Sequence, residues 1–148
     1  MDIKDFLAPA DVIVDMRATD KEQLLLDLSR RGVAALGLDV ELVTAEILKR
    51  EELGSTGMGE GIAIPHARIP KLDRPFGILA RLKKAIDFAA IDEKPVDLVF
   101  LLLLPGATEG DQLNALASVA RMLRNPVTSS AIRAARNGAE AYEAIATS

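Results

Sequence analysis

The sequence predicts an α/β fold: a single domain whose mixed, largely parallel β-sheet is flanked by helices on both faces. Three observations carry that expectation. Val96 to Leu104 is almost entirely apolar, as in a central strand covered on both faces. Segments of helical period alternate with short β-branched runs along the chain. And 148 residues, 49% of them hydrophobic, suffice for one proper core, with no low-complexity stretch, linker or repeat to divide it.

The elements follow in order. Val12-Ile13-Val14 suits a strand. Thr19 with Glu22 three residues on reads as a capping box, opening a helix on the Leu24, Leu25, Leu28 stripe that stops at Gly37. A second helix runs from Asp39 to near Glu52. Residues 54–61, GSTGMGEG, hold four glycines in eight positions and read as a turn-rich loop. Ile62-Ala63-Ile64 is a brief strand cut off by Pro65. Phe76 to Leu82 is a strand, and the Arg81-Leu82-Lys83-Lys84 stretch is its solvated end. Leu113, Leu116, Ala117, Ala120 and Leu123 form the apolar stripe of an amphipathic helix. Asn125-Pro126 breaks it, two short Ala-rich helices finish the chain, and Arg121, Arg124, Arg133 and Arg136 lie on solvated helix faces.

Composition excludes several functions. No cysteine means no disulfide, thiolate zinc site, iron–sulfur cluster or thiol catalysis, and one histidine excludes a multi-histidine metal site. A net charge of −4 is the wrong sign for a duplex nucleic-acid binder, and five aromatic residues are too few for a base-stacking platform. The longest apolar run falls far short of the ~20 residues that span a bilayer, and the acidic opening has no signal-peptide core. A cytoplasmic protein without membrane insertion is expected.

Chemistry concentrates at Arg50-Glu51-Glu52-Leu53 and the GSTGMGEGIAIPHAR that follows, residues 54–68. Glycines let consecutive N–H groups converge on an anion. Ser55 and Thr56 add hydroxyls, Arg50 a delocalised cation. His66 lies just beyond, held by Pro65, and a neutral imidazole is a competent nucleophile. A histidine nucleophile beside an anion cradle points to covalent phosphoryl chemistry. A nucleotide P-loop fails, because Glu60-Gly61 stands where lysine and a hydroxyl are required, and a dinucleotide fingerprint fails at Ile62. No nucleophile elbow exists; a loop-built Ser-His-Asp hydrolase remains by residue count. Against all of these stands the plain reading: glycine loops are most often tight turns, lone histidines structural, and an arginine at a helix end a partner of the helix dipole.

Arg50-Glu51 with GSTGMGEGIAIPHAR, followed by Ile86-Asp87-Phe88, Asp92 and Pro95-Val96-Asp97-Leu98-Val99-Phe100, resembles the enzyme IIA proteins of the bacterial phosphoenolpyruvate-dependent phosphotransferase system, fructose/mannitol-type family. A chain of this length looks like its nitrogen-regulatory branch. The resemblance implies a mixed sheet flanked by helices. It implies that His66 accepts a phosphoryl group on Nε2 from an HPr-like phosphocarrier, itself charged by enzyme I, that Arg50 steadies the group, and that Ser55, Thr56 and the loop amides take its oxygens. No metal or organic cofactor takes part, and the protein forms a phosphohistidine rather than turning over alone. Nitrogen-branch members use their phosphorylation state to regulate target proteins; sugar-specific members pass the group to a IIB domain. Where the family has a second histidine, this chain has Gln112, a possible site neighbour that cannot be cationic. A protein-interaction module that is not phosphorylated is the alternative from another class.

Overall fold

The computed structural model of the chain describes residues 2–106 and 109–147, with the helical backbone alone for 109–113. Its centre is strand β6, Val96–Pro105. The even residues Leu98, Phe100, Leu102 and Leu104 enter one core, and the odd residues Val99, Leu101 and Leu103 enter the other. The two-residue period of a strand splits an unbroken apolar run between two faces in this way.

Strand β5, Phe76–Ile86, pairs antiparallel with one side of β6, and β1, Val12–Met16, pairs parallel with β5. The other side of β6 carries two short parallel strands in succession, β3 (Ile62–Ala63) and then β4 (His66–Ile69). Strand β2, Gly57–Gly59, closes that edge as an antiparallel hairpin with β3. The order β1-β5-β6-β3-β2, with β4 also on β6, is a mixed sheet.

Helices α1 (Lys21–Leu36) and α2 (Val40–Glu52) bury Leu24, Leu25, Leu28, Val43 and Ile47 on one face of the sheet. Helices α3 (Glu109–Arg124), α4 (Pro126–Ala134) and α5 (Gly138–Ala146) cover the other, with a 3₁₀ turn at Ile3–Asp5 beneath Phe6 and Leu7. Both faces are therefore covered, as the sequence predicts. Strand β1 serves the two cores in turn: Val12 faces one and Met16 the other, because Asp15 takes a positive φ of 56° and shifts the register on β5.

Several local expectations need correction. The N-cap of α1 is Asp20, not Thr19: its carboxylate accepts from the Gln23 amide at 2.8 Å, and the Gln23 side chain reaches back to the Thr19 amide at 2.7 Å. An aspartate one residue nearer the helix supplies the stronger acceptor. The glycine segment is more than a loop, since Gly57–Gly59 forms β2, with Glu60 and Gly61 turning the hairpin at φ 59° and 78°. Such a turn needs left-handed backbone at both central positions. Strand β5 runs four residues past Leu82, to Ile86.

Nor is Arg81 solvated. Its side chain is 12% exposed, and its guanidinium donates to the carbonyls of Ile132, Arg133 and Ala135 at the C-terminal end of α4 and to Asp15. A cation there satisfies carbonyls that the helix leaves without partners. Arg133 likewise holds Asp97 with two nitrogens and donates to the Glu60 carbonyl at 2.9 Å, tying α4 to the β2–β3 turn.

Candidate functional site

Pro65 ends the β3 segment, and the chain re-enters the sheet as β4, with His66 opposite Leu102 and Arg68 opposite Leu104. Ala67 and Ile69 point into the core beneath α2, which leaves His66 and Arg68 on the other face of the strand. The last turn of α2, carrying Lys49 and Arg50, reaches the same edge of the sheet and borders one cleft with both of them. That cleft, of about 340 Å³, is lined by His66, Ala67 and Arg68 of β4, by Lys49, Arg50 and Glu46 of α2, and by the apolar Leu53, Leu104 and Leu116.

The imidazole has a defined tautomer. Nδ1 lies 2.8 Å from the Ile64 carbonyl oxygen. A carbonyl only accepts, so Nδ1 carries the proton and Nε2 keeps a lone pair. Partial burial pushes the ring below its ordinary value near 6.5, and the Arg50 guanidinium adds to that shift; the Ile64 hydrogen bond and the Glu51 carboxylate oppose it. The net direction is down, so the ring is neutral at pH 7 and its Nε2 is nucleophilic.

Arg50 donates from one terminal nitrogen to the Gly54 carbonyl at 2.9 Å. This bond fixes the guanidinium where α2 gives way to the glycine segment. Its neighbour Glu51, with a side chain 6% exposed, points the other way. The Glu51 carboxylate accepts from the Thr56 amide at 3.2 Å, from the Thr56 hydroxyl, and from Lys21 of α1 at 2.8 Å. Lys21 in turn donates to the Phe88 carbonyl and sits 4.4 Å from the centre of the Phe88 ring.

The structure thus brings His66 and Arg50 together and keeps Ser55 and Thr56 out of the cleft lining. The Ser55 hydroxyl donates to the Phe88 carbonyl at 2.9 Å and accepts from the Gly57 amide at 3.0 Å. The loop amides are similarly engaged: Gly54 with the Glu51 carbonyl, Glu60 with Asp92. To reach a phosphoryl oxygen, either hydroxyl must leave its present acceptor. Gln112 lies on α3, and its side chain is outside the described residues. Residue type and order alone did not single out Lys49 and Arg68. The signal for Arg68 was its two-residue spacing from His66, which puts both on one strand face. Among the described residues no group of three His, Cys, Asp or Glu side chains is placed to hold a metal ion, and no helix is long and apolar enough to cross a membrane.

Comparison with known proteins agrees with the fold. Residues 5–148 match the model of the family described as phosphoenolpyruvate-dependent sugar phosphotransferase system, EIIA 2. A nitrogen regulatory protein of Bradyrhizobium diazoefficiens is 40% identical over 146 residues, covering 99% of this chain and 95% of that one. The crystal structure of the nitrogen regulatory protein IIA-Ntr of Neisseria meningitidis superposes with a TM-score of 0.91 at 28% identity, covering 97% of this chain and 98% of that one. The mannitol IIA of Escherichia coli shares the fold, with a TM-score of 0.77 at 17% identity over 93% of this chain and 97% of its own. The chain belongs to the EIIA 2 family of the phosphoenolpyruvate-dependent sugar phosphotransferase system, and along nearly its whole length it is similar to nitrogen regulatory proteins.

Proposed function

We propose that the protein is a phosphoryl carrier that takes a phosphoryl group on Nε2 of His66 from an HPr-like phosphocarrier and uses its phosphorylation state for regulation. One observation carries this reading: the Nδ1 proton is held by Ile64, so the nucleophilic nitrogen is Nε2, on a ring that shares its cleft with Arg50.

The step balances without a cofactor. The Nε2 lone pair forms the new P–N bond as the donor's P–N bond breaks, and the released pair returns to the donor imidazole. The Nδ1 proton stays in place. The ring becomes a phosphorylated imidazolium, and the bond from Nδ1–H to the Ile64 carbonyl strengthens because its donor is now charged. Arg50 faces the charge on the transferring oxygens. Catalysis of this kind rests on in-line positioning and electrostatic support rather than on proton transfer. Ser55 and Thr56 contribute by bracing the glycine segment against Phe88 and Glu51.

Regulation follows from charge. A phosphoryl group brings about −1.5 to −2 charges to a cleft mouth that also presents Leu53, 84% exposed. A partner that docks there meets a different surface in each state. The regulatory role is supported by the nitrogen regulatory proteins that the chain matches over nearly its full length.

The test is incubation with phosphoenolpyruvate, enzyme I and the HPr-like carrier, read by intact mass beside His66→Ala. The reading requires a gain of one phosphoryl group, stable in base, labile in acid and absent from the variant. No gain with a donor proven active on another acceptor rejects it.

A further inference from the structure

The phosphoryl transfer step makes no direct use of the Glu51 carboxylate, although that side chain is only 6% exposed. Burying a charge is costly, and an apolar side chain of similar size often serves stability as well or better. Its partners show what this charge holds. The carboxylate accepts from the Thr56 amide, from the Thr56 hydroxyl and from the Lys21 ammonium. Lys21 also donates to the Phe88 carbonyl, the same oxygen that receives the Ser55 hydroxyl. Ser55 and Thr56 are thus tied to one Lys21–Glu51 pair that bridges α1 and α2.

Both principal site residues lean on the segment so tied. The Arg50 guanidinium donates to the Gly54 carbonyl, which immediately precedes Ser55 and Thr56. The Thr56 carbonyl accepts from the Ile64 amide at 3.1 Å, and Ile64 leads through Pro65 into His66. We propose that Glu51, paired with Lys21, is a positioning residue for the transfer: by clamping Thr56 it fixes the Gly54 perch of the Arg50 guanidinium relative to the His66 ring. The inference rests on the carrier reading. Glu51 touches no phosphoryl oxygen and acts through Arg50, and a network of this kind holds one geometry only when every member has its partner.

The experiment is a double-substitution cycle read in two ways. Acceptance from the phosphorylated HPr-like carrier is followed by quenched-flow and intact mass, over a range of donor concentrations. The proteins are the wild-type chain, Glu51→Ala, Glu51→Gln, Arg50→Gln and Arg50→Gln combined with each Glu51 change. His66 is titrated by NMR in the same unphosphorylated proteins. Glu51→Ala slows acceptance at saturating donor about tenfold, the scale of one lost hydrogen bond to a charged group, with KM for the donor unchanged. Glu51→Gln recovers part of that loss, because its amide oxygen still accepts from Thr56. In the Arg50→Gln background the same changes slow acceptance by no more than about twofold, since residues that act as one unit are not additive. The rise in the His66 midpoint on removing Arg50 is smaller with either Glu51 variant than with Glu51 in place.

Equal slowing in both backgrounds overturns the clamp in favour of a general structural role. Unchanged acceptance in the Glu51 variants overturns it outright, with the carrier reading still standing. Should Glu51→Ala not fold, Glu51→Gln runs the same cycle. If the wild-type chain takes no phosphoryl group from an active donor, the carrier reading fails and the role of Glu51 in transfer falls with it. An Arg50 effect on the titration that is the same with and without Glu51 overturns the clamp itself.

Discussion

His66 and Ile64, two residues apart across Pro65, are joined by a 2.8 Å hydrogen bond from the imidazole Nδ1–H to the backbone carbonyl. The bond decides which ring nitrogen can act. It also needs no third side chain, so the tautomer is set by the local chain.

The first prediction is the pH dependence of phosphoryl acceptance. Burial and Arg50 hold the ring below its ordinary value, so the neutral nucleophile persists into mildly acidic solution. The acceptance rate falls on acidification with a midpoint below the ordinary histidine value of 6.5. Stopped-flow quench on both sides of that value, with the donor saturating, checks it; a decline centred above 6.5 contradicts it.

Stability carries the same signature. The folded-state value lies below the unfolded one, so the unfolded chain takes up a proton first as the pH falls. The stability contributed by the neutral ring is complete above the unfolded value and is lost as the pH drops below it. His66→Gln escapes this penalty. Urea unfolding shows the difference between variant and wild type moving in the variant's favour below pH 6.5, and constant above it.

Arg50→Gln removes the guanidinium from the cleft wall. Acceptance slows by about 10²-fold, the scale for deleting one preorganised electrostatic donor. In the same variant the His66 midpoint rises, because a positive neighbour has gone. Rate and titration measured on one preparation separate this from simple unfolding.

Gly61 turns the β2–β3 hairpin at φ 78°, and a Cβ there would sit 2.8 Å from Arg133 Nη2 and 2.9 Å from Asp97 Oδ1. Gly61→Ala costs about 1–2 kcal/mol from the left-handed backbone alone, and more once the Arg133–Asp97 pair is displaced. Denaturant unfolding measures it. The loss shrinks in an Arg133→Ala background, where one of the two crowding atoms is gone and Asp97 is no longer held in place by Arg133.

Much of the architecture was legible because local rules and the global fold agree. Asp39 and Gly37 mark helix ends that the structure reproduces, and the apolar run at 96–104 becomes a central strand buried on both faces. Strand β4 was not legible: HARI is four residues long behind a proline, and its partner lies 36 residues downstream, so no local period announces it. Strand β2 hid in a glycine segment whose strand character comes only from pairing with β3. Arg81 read as solvated because the carbonyls it meets, at 132–135, are brought to it by the packing of α4. At the site, His66 and Arg50 stood out through their motif. The engagement of Ser55 with the Phe88 carbonyl did not, since 33 residues separate the two and only the fold joins them.

The central claim is that the Ile64 carbonyl reserves Nε2 of His66 for the phosphoryl group. The direct measurement is NMR of the phosphorylated chain with ¹⁵N-labelled histidine, which identifies the ring nitrogen coupled to phosphorus. The single histidine makes the assignment unambiguous. The account predicts coupling to Nε2, with Nδ1 still protonated. Phosphorus on Nδ1, or on any residue other than His66, contradicts it.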